Sequence, residues 1–98
     1  MKKLFLHPLS LEEIIHAKTF YDSKVDGLGS QLVVEINRAI ELIDKMPETW
    51  PVYNNKLRRY ILKRFPFSII YRLKNNTIQI IAFMHQHRKP YYWKKRLN

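Results

Sequence analysis

Apolar and polar positions follow a period of two over two runs in the second half of the chain. They follow a helical period over two longer runs in the first half. Residues 67–73 (FSIIYRL) and 78–84 (IQIIAFM) are apolar and β-branched, and Lys74-Asn75-Asn76-Thr77 separates them. Asn tolerates positive φ at low cost, so Asn75-Asn76 predicts a two-residue hairpin loop with Lys74 opposite Thr77. Counting outward from that loop, Leu73 faces Ile78, Tyr71 faces Ile80, Ile69 faces Ala82 and Phe67 faces Met84. All eight are apolar or aromatic. Side chains two apart share a face, so this register predicts one face built to be covered. The other face sets Arg72 opposite Gln79, Ile70 opposite Ile81 and Ser68 opposite Phe83, with Pro66 near His85. Its polar and basic rim reads as a binding surface.

Earlier in the chain, Ser10-Leu11-Glu12-Glu13 has the form of a capping box, with Ser10 as N-cap and Glu13 reaching back. It predicts a first helix over 11–23, with Leu11, Ile14, Ala17 and Tyr21 inward and Ile15 and Phe20 widening the stripe. Asp26-Gly27 breaks that pattern. A second helix is predicted over 28–45, with Leu28, Leu32, Ile36, Ala39, Ile40 and Ile43 inward and Glu35, Arg38, Glu41 and Asp44 outward. The short link makes the two an antiparallel hairpin. Residues 3–7 read as a short strand ended by Pro8, and 57–65 as a strand edged by Arg58, Arg59, Lys63 and Arg64. Between them, 46–55 reads as a loop punctuated by Pro47 and Pro51 and pinned by Trp50 and Tyr53. The order β-α-α-β-β-β predicts one α+β domain over 1–98: an N-terminal strand, an antiparallel helix hairpin, then a three-stranded antiparallel sheet.

Charge changes the picture from fold to partner. The chain carries a net +10, and every acidic residue lies at or before Glu48. Residues 1–48 hold eight acids against six Lys and Arg, net −2, whereas 49–98 hold twelve Lys and Arg and no acid, net +12. Such asymmetry predicts an anionic partner: nucleic acid or an acidic protein segment, ahead of a membrane surface. No run approaches the ~20 apolar residues of a membrane helix. Cysteine is absent, which excludes disulfides and fits a reduced, cytoplasmic setting. No cofactor or metal motif is present. If the strand continues through them, His85 and His87 send their rings to opposite faces and do not converge on one metal without a bend.

The chain resembles the RelE/ParE superfamily of bacterial toxins from type II toxin–antitoxin modules, and more closely its ParE-like side. The resemblance rests on the helix hairpin with Leu28-Gly29, the loop from Met46-Pro47 to Pro51, and Arg58-Arg59. It continues through Phe65-Pro66-Phe67-Ser68-Ile69-Ile70-Tyr71, then Ile78-Gln79-Ile80-Ile81-Ala82-Phe83-Met84-His85, and ends in Arg88-Lys89-Pro90 with Tyr92-Trp93. It implies a plasmid-stabilization type of module. The toxin is neutralised by a cognate acidic antitoxin and meets operator DNA only through the antitoxin complex. ParE-like members inhibit DNA gyrase by binding. On that reading the contact surface for target or antitoxin is Arg58, Arg59, Arg72, Arg88, Tyr92, Trp93, Lys94, Lys95 and Arg96.

RelE-like members instead cut mRNA on the ribosome. A metal-free ribonuclease needs a proton acceptor, a proton donor and cations for the phosphorane charge. The candidates are Lys63, Arg64, His85, Arg88 and Tyr91. Ser68 stands where the RelE-like pattern has a central-strand arginine. A basic nucleic-acid-binding module without toxicity is the third reading.

Overall fold

The computed structural model describes residues 2–54 and 56–97; Met1, Asn55 and Asn98, which the predicted start, loop and tail include, lie outside the described residues. The elements are β1 (Lys3–Leu6), α1 (Pro8–Lys24), α2 (Leu28–Lys45), β2 (Val52–Asn54), β3 (Leu57–Ile61), β4 (Phe67–Lys74) and β5 (Thr77–His85), with a 3-10 turn over Lys94–Leu97. The strands form one sheet in the order β1-β5-β4-β3-β2. β1 runs parallel to β5, and the other neighbours are antiparallel. This is the α+β architecture the sequence predicts, with a three-residue strand, β2, added inside the predicted 46–55 loop. The Arg58 guanidinium fastens that segment by donating to the carbonyls of Glu48 (3.1 Å) and Trp50 (2.7 Å). β3 ends at Ile61 rather than 65, because the N–H groups of Lys63 and Arg64 turn to the Glu35 carboxylate (2.6 and 3.4 Å). Among the described residues no helix is long and apolar enough to cross a membrane.

α1 starts at Pro8, two residues before the predicted N-cap Ser10 and three before the predicted first helical residue. Proline suits the first helical position, where its fixed φ fits and its missing N–H has no intrahelical partner to lose. The cap is His7, whose Nδ1 accepts from the Leu9 N–H at 3.1 Å. Ser10 falls inside the first turn, fully buried, its hydroxyl donating to the His7 carbonyl at 2.7 Å. Glu13 is therefore not a cap residue and is free for other work. α2 buries Leu32, Ile36, Ala39 and Ile43, as its period predicts. In α1 only Ala17 is buried among the predicted inward set, while Leu11, Ile15 and Phe20 stay exposed. Apolar residues surround α1 on all sides, so period alone does not select its inner face.

The predicted hairpin loop forms. Asn75 and Asn76 adopt φ of 52° and 59°, the paired left-handed conformation of a primed turn. The register holds from Lys74↔Thr77 to Tyr71↔Ile80 and then slips by one residue. Beyond the slip Ile70 pairs with Ala82, Ile69 with Phe83, Ser68 with Met84 and Phe67 with His85. Ile81 is the extra residue of a bulge. The expected pairings of Ala82 with Ile69 and Met84 with Phe67 are thus corrected. Phe83 joins the helix-side core with Ile69, Tyr71, Ile78 and Ile80. Ile81, Ala82 and Met84 turn to the opposite face with Leu57 and Ile70.

That opposite face is not open. The tail after β5 folds back under the sheet and inserts Trp93, 0% exposed, among those residues. Burying a Trp removes ~150–250 Å² from water, worth ~4–6 kcal/mol at about 25 cal/mol/Å². The surface expected to bind a partner is covered by the protein's own tail, because the bulge makes it too apolar to leave wet.

Candidate functional site

β1 runs beside β5 only as far as Ile80, whose carbonyl accepts the His7 N–H at 2.9 Å. Past that point the outer edge of β5 has no neighbouring strand. Two side chains stand in for one. Glu13 Oε1 accepts the Phe83 N–H (3.0 Å), and Arg96 Nη1 donates to the Ile81 carbonyl (3.1 Å). Glu13 and Arg96 also pair with each other fork to fork, Oε1 with Nη1 at 2.9 Å and Oε2 with Nη2 at 3.0 Å. The Tyr92 hydroxyl donates to Glu13 Oε2 at 2.7 Å. One carboxylate on α1 thereby ties the bulge, the sheet edge and the tail together. The Glu13 and Arg96 side chains are only 18% and 10% exposed. Replacing Glu13 by Ala leaves a mostly buried guanidinium without its carboxylate and the Phe83 N–H and Tyr92 hydroxyl without an acceptor, an expected loss of ~3 kcal/mol in urea unfolding, with Glu13→Gln losing about half as much.

Directly beside this latch lies a cleft of about 370 Å³. α1 lines it with Glu13, His16, Ala17, Phe20 and Tyr21, spaced so that they share one flank of the helix. β4 contributes Phe67, β5 contributes Phe83 and His85, and the tail contributes Arg88 and Tyr92. The Phe67 and Phe83 rings are stacked, with centroids 4.5 Å apart and planes within 4°. His85 meets the Phe67 ring edge-on at 5.0 Å. Its Nδ1 accepts the His87 N–H at 3.0 Å, which fixes the ring and leaves Nε2 for another partner. The Arg88 guanidinium lies 3.8 Å over the Tyr92 ring. The bulge at Ile81 is what makes this site. In the unshifted register His85 would sit opposite Pro66 on the other face.

The residues proposed from sequence are dispersed. His85 and Arg88 share the cleft. Lys63 and Arg64 line a different groove, between α2 and β3, where Arg64 donates to Gln31 at 2.7 Å. Tyr91 stacks on Tyr53 at 6.4 Å and packs near Trp93, with its backbone in the left-handed region at φ 69°. The five residues of the ribonuclease reading therefore do not converge. Arg59 donates to Ser68 Oγ at 2.9 Å and lies over Tyr53. Arg72 donates to Gln79 at 2.6 Å and to the Leu97 carbonyl at 3.3 Å. With Arg58 and Arg96 they hold the fold, whereas Lys94 and Lys95 are exposed. Sequence reasoning missed Glu13, read as part of a capping box, and did not single out His16. Their spacing with Phe20 along one helix flank was the available signal.

Burial raises the pKa of Tyr21, and it pushes Tyr71 and Tyr92 furthest from their ordinary range. Tyr71, whose hydroxyl donates to the Pro47 carbonyl at 2.7 Å, is pushed up to about 12. Tyr92 is pushed up further, by burial first and then by its hydrogen bond to Glu13 and that carboxylate's charge. The folded state thus keeps both phenols protonated at a pH where the unfolded chain, near pKa ~10, releases them. Their stabilisation is complete below pH ~10 and is lost as pH rises from there toward about 12. Urea midpoints measured across that window should fall more steeply for the native chain than for Tyr92→Phe or Tyr71→Phe.

No family model and no curated protein matches the sequence. Among solved structures, a chain of one described as the chromosomal ParDE TA system from P. aeruginosa superposes with a TM-score of 0.76. The match covers 87% of this chain and 96% of that one, at 19% identity. At that identity the likeness shows a common fold.

Proposed function

We propose that this chain is the single-domain toxin of a toxin–antitoxin pair, held in check in the cytoplasm by an acidic antitoxin, and that it acts by binding DNA gyrase. The observation that carries the reading is the shared fold with a chain of the ParDE TA system over nearly the whole of both chains. Two further features support it. The +12 half from residue 49 onward suits an acidic, disordered antitoxin segment that folds over it. The dispersal of Lys63, Arg64 and Tyr91 away from His85 and Arg88 favours action by binding over phosphodiester cleavage.

The test is a pulse-label after tightly controlled induction in a bacterial host, following thymidine and amino-acid incorporation through the first minutes. Early loss of DNA synthesis with translation intact is the expected result. Early loss of protein synthesis would move the target to the ribosome. Unchanged growth and synthesis would overturn the toxin assignment.

A further inference from the structure

We infer that the cleft between α1, the far end of β5 and the tail is a binding site for a small molecule that joins a phosphate to a planar ring through a sugar, the chemistry of a nucleoside monophosphate. The inference stands apart from the toxin reading, since it concerns what the isolated chain binds and not what it poisons.

The volume of about 370 Å³ falls at the lower end of the roughly 300–1,000 Å³ of small-molecule sites. Its titratable and charged groups are Glu13, His16 and Tyr21 from α1, His85 from β5, and Arg88 and Tyr92 from the tail. Arg88 is held by stacking rather than by an ion pair. Among the described residues its guanidinium meets no carboxylate, and it rests 3.8 Å over the Tyr92 ring, exposed to solvent. Charge-assisted hydrogen bonds from a guanidinium to an anion are about twice as strong as neutral ones, so an Arg that lines a cleft without a carboxylate partner is a ready anion site. His85 adds a second donor through Nε2, because its Nδ1 is taken by the His87 N–H. His16 faces the same space from the helix.

The acid in the cleft does not cancel this. Glu13 accepts four hydrogen bonds, two of them from the Arg96 guanidinium, and its charge is spent on that pair. The remaining wall is aromatic. Phe20 is 54% exposed beside the cleft, and Phe67 and Phe83 form a stacked pair within it. A base stacked on an aromatic side chain gains ~1–3 kcal/mol whatever its identity. A cationic end and an aromatic wall in one cleft of this size suit a phosphate joined to a flat ring better than either part alone.

Isothermal titration of the full chain tests this, with adenosine monophosphate, inorganic phosphate, adenosine and glutamate as probes. The monophosphate should bind about tenfold more tightly than each of the other three. Arg88→Gln and His85→Gln should each weaken it by about tenfold. Phe20→Ala should weaken the monophosphate and leave inorganic phosphate unchanged. Lys74→Gln, in the exposed hairpin turn, should change nothing. Thermal melts of each variant confirm that it folds, and two independent cleft variants guard against the loss of one. Equal weakening by Lys74→Gln would mean diffuse attraction to a +10 protein and would overturn the site. Equal binding of glutamate, or no binding of the monophosphate, would overturn it as well.

Discussion

Ile80→Asp is expected to abolish the cooperative unfolding transition, while Gln79→Asp, one residue away, leaves the melting temperature within a few degrees. Ile80 is 1% exposed and sits in the middle of three strands, paired with Tyr71 on one side and Leu6 on the other. Its side chain packs in the layer between the sheet and the helices. Asp in its place forfeits the burial of an aliphatic side chain, ~2–5 kcal/mol with its cavity, and strands a charge with no partner. Together these costs approach the ~5–15 kcal/mol that holds a typical domain folded. Gln79 lies on the opposite face, half-exposed, and accepts from Arg72 Nε at 2.6 Å. A carboxylate there meets a guanidinium, so the expected change is within ~1 kcal/mol. Urea melts of the two variants decide the matter. Equal destabilisation would refute the face assignment of β5.

Gly29→Val should be nearly as damaging, for a different reason. Gly29 is the second residue of α2, and its N–H donates to Asp22 Oδ1 at 2.7 Å. A Cβ on Gly29 would overlap the Lys18 carbonyl oxygen and stand 2.6 Å from Asp22 Cγ. The first obstacle is backbone, which cannot swing aside as a side chain can. The helices must separate, and with them goes the close contact that sets the hairpin angle. Overpacking of this kind costs ~3 kcal/mol, and at about 4–8 °C per kcal/mol the melting temperature should drop by ~12 °C or more. Gly27→Ala is the control. Gly27 has φ +81° but nothing within 4 Å of a Cβ, so only conformational strain of ~1–2 kcal/mol applies. If Gly29→Val proves as mild as Gly27→Ala, the close helix contact is wrong. The same contact has an acid dependence. The Lys18 ammonium, and then the Gly29 N–H, hold the Asp22 carboxyl below its usual range, so its support is present above that range and fades as pH falls through it.

The candidate site was only partly legible. His85 and Arg88 stand out as chemistry-bearing residues at a strand end and in a basic tail, and the cleft contains both. Glu13 was hidden behind a local pattern that fits a cap, because Ser10 and Glu13 have capping-box spacing while Pro8 and His7 actually start the helix. Its true partners, Phe83, Tyr92 and Arg96, lie 70 to 83 residues away. The tail aromatics divided in a way composition does not foretell, with Trp93 wholly buried and Tyr91 half exposed.

What the sequence by itself determined about this protein is what acts over a few residues. The span of α2 and its inner face follow from the helical period, the hairpin loop from two Asn residues that accept positive φ, and the β-α-α-β order from the punctuation by Gly and Pro. Only the tertiary structure decided which face each residue beyond Ile80 takes. The bulge at Ile81 arises where β5 loses β1 as a neighbour, and it is held by Glu13 and Arg96 from opposite ends of the chain. A period of two shows that side chains alternate but not where the alternation slips, because one inserted residue leaves the local composition unchanged and reverses every face after it.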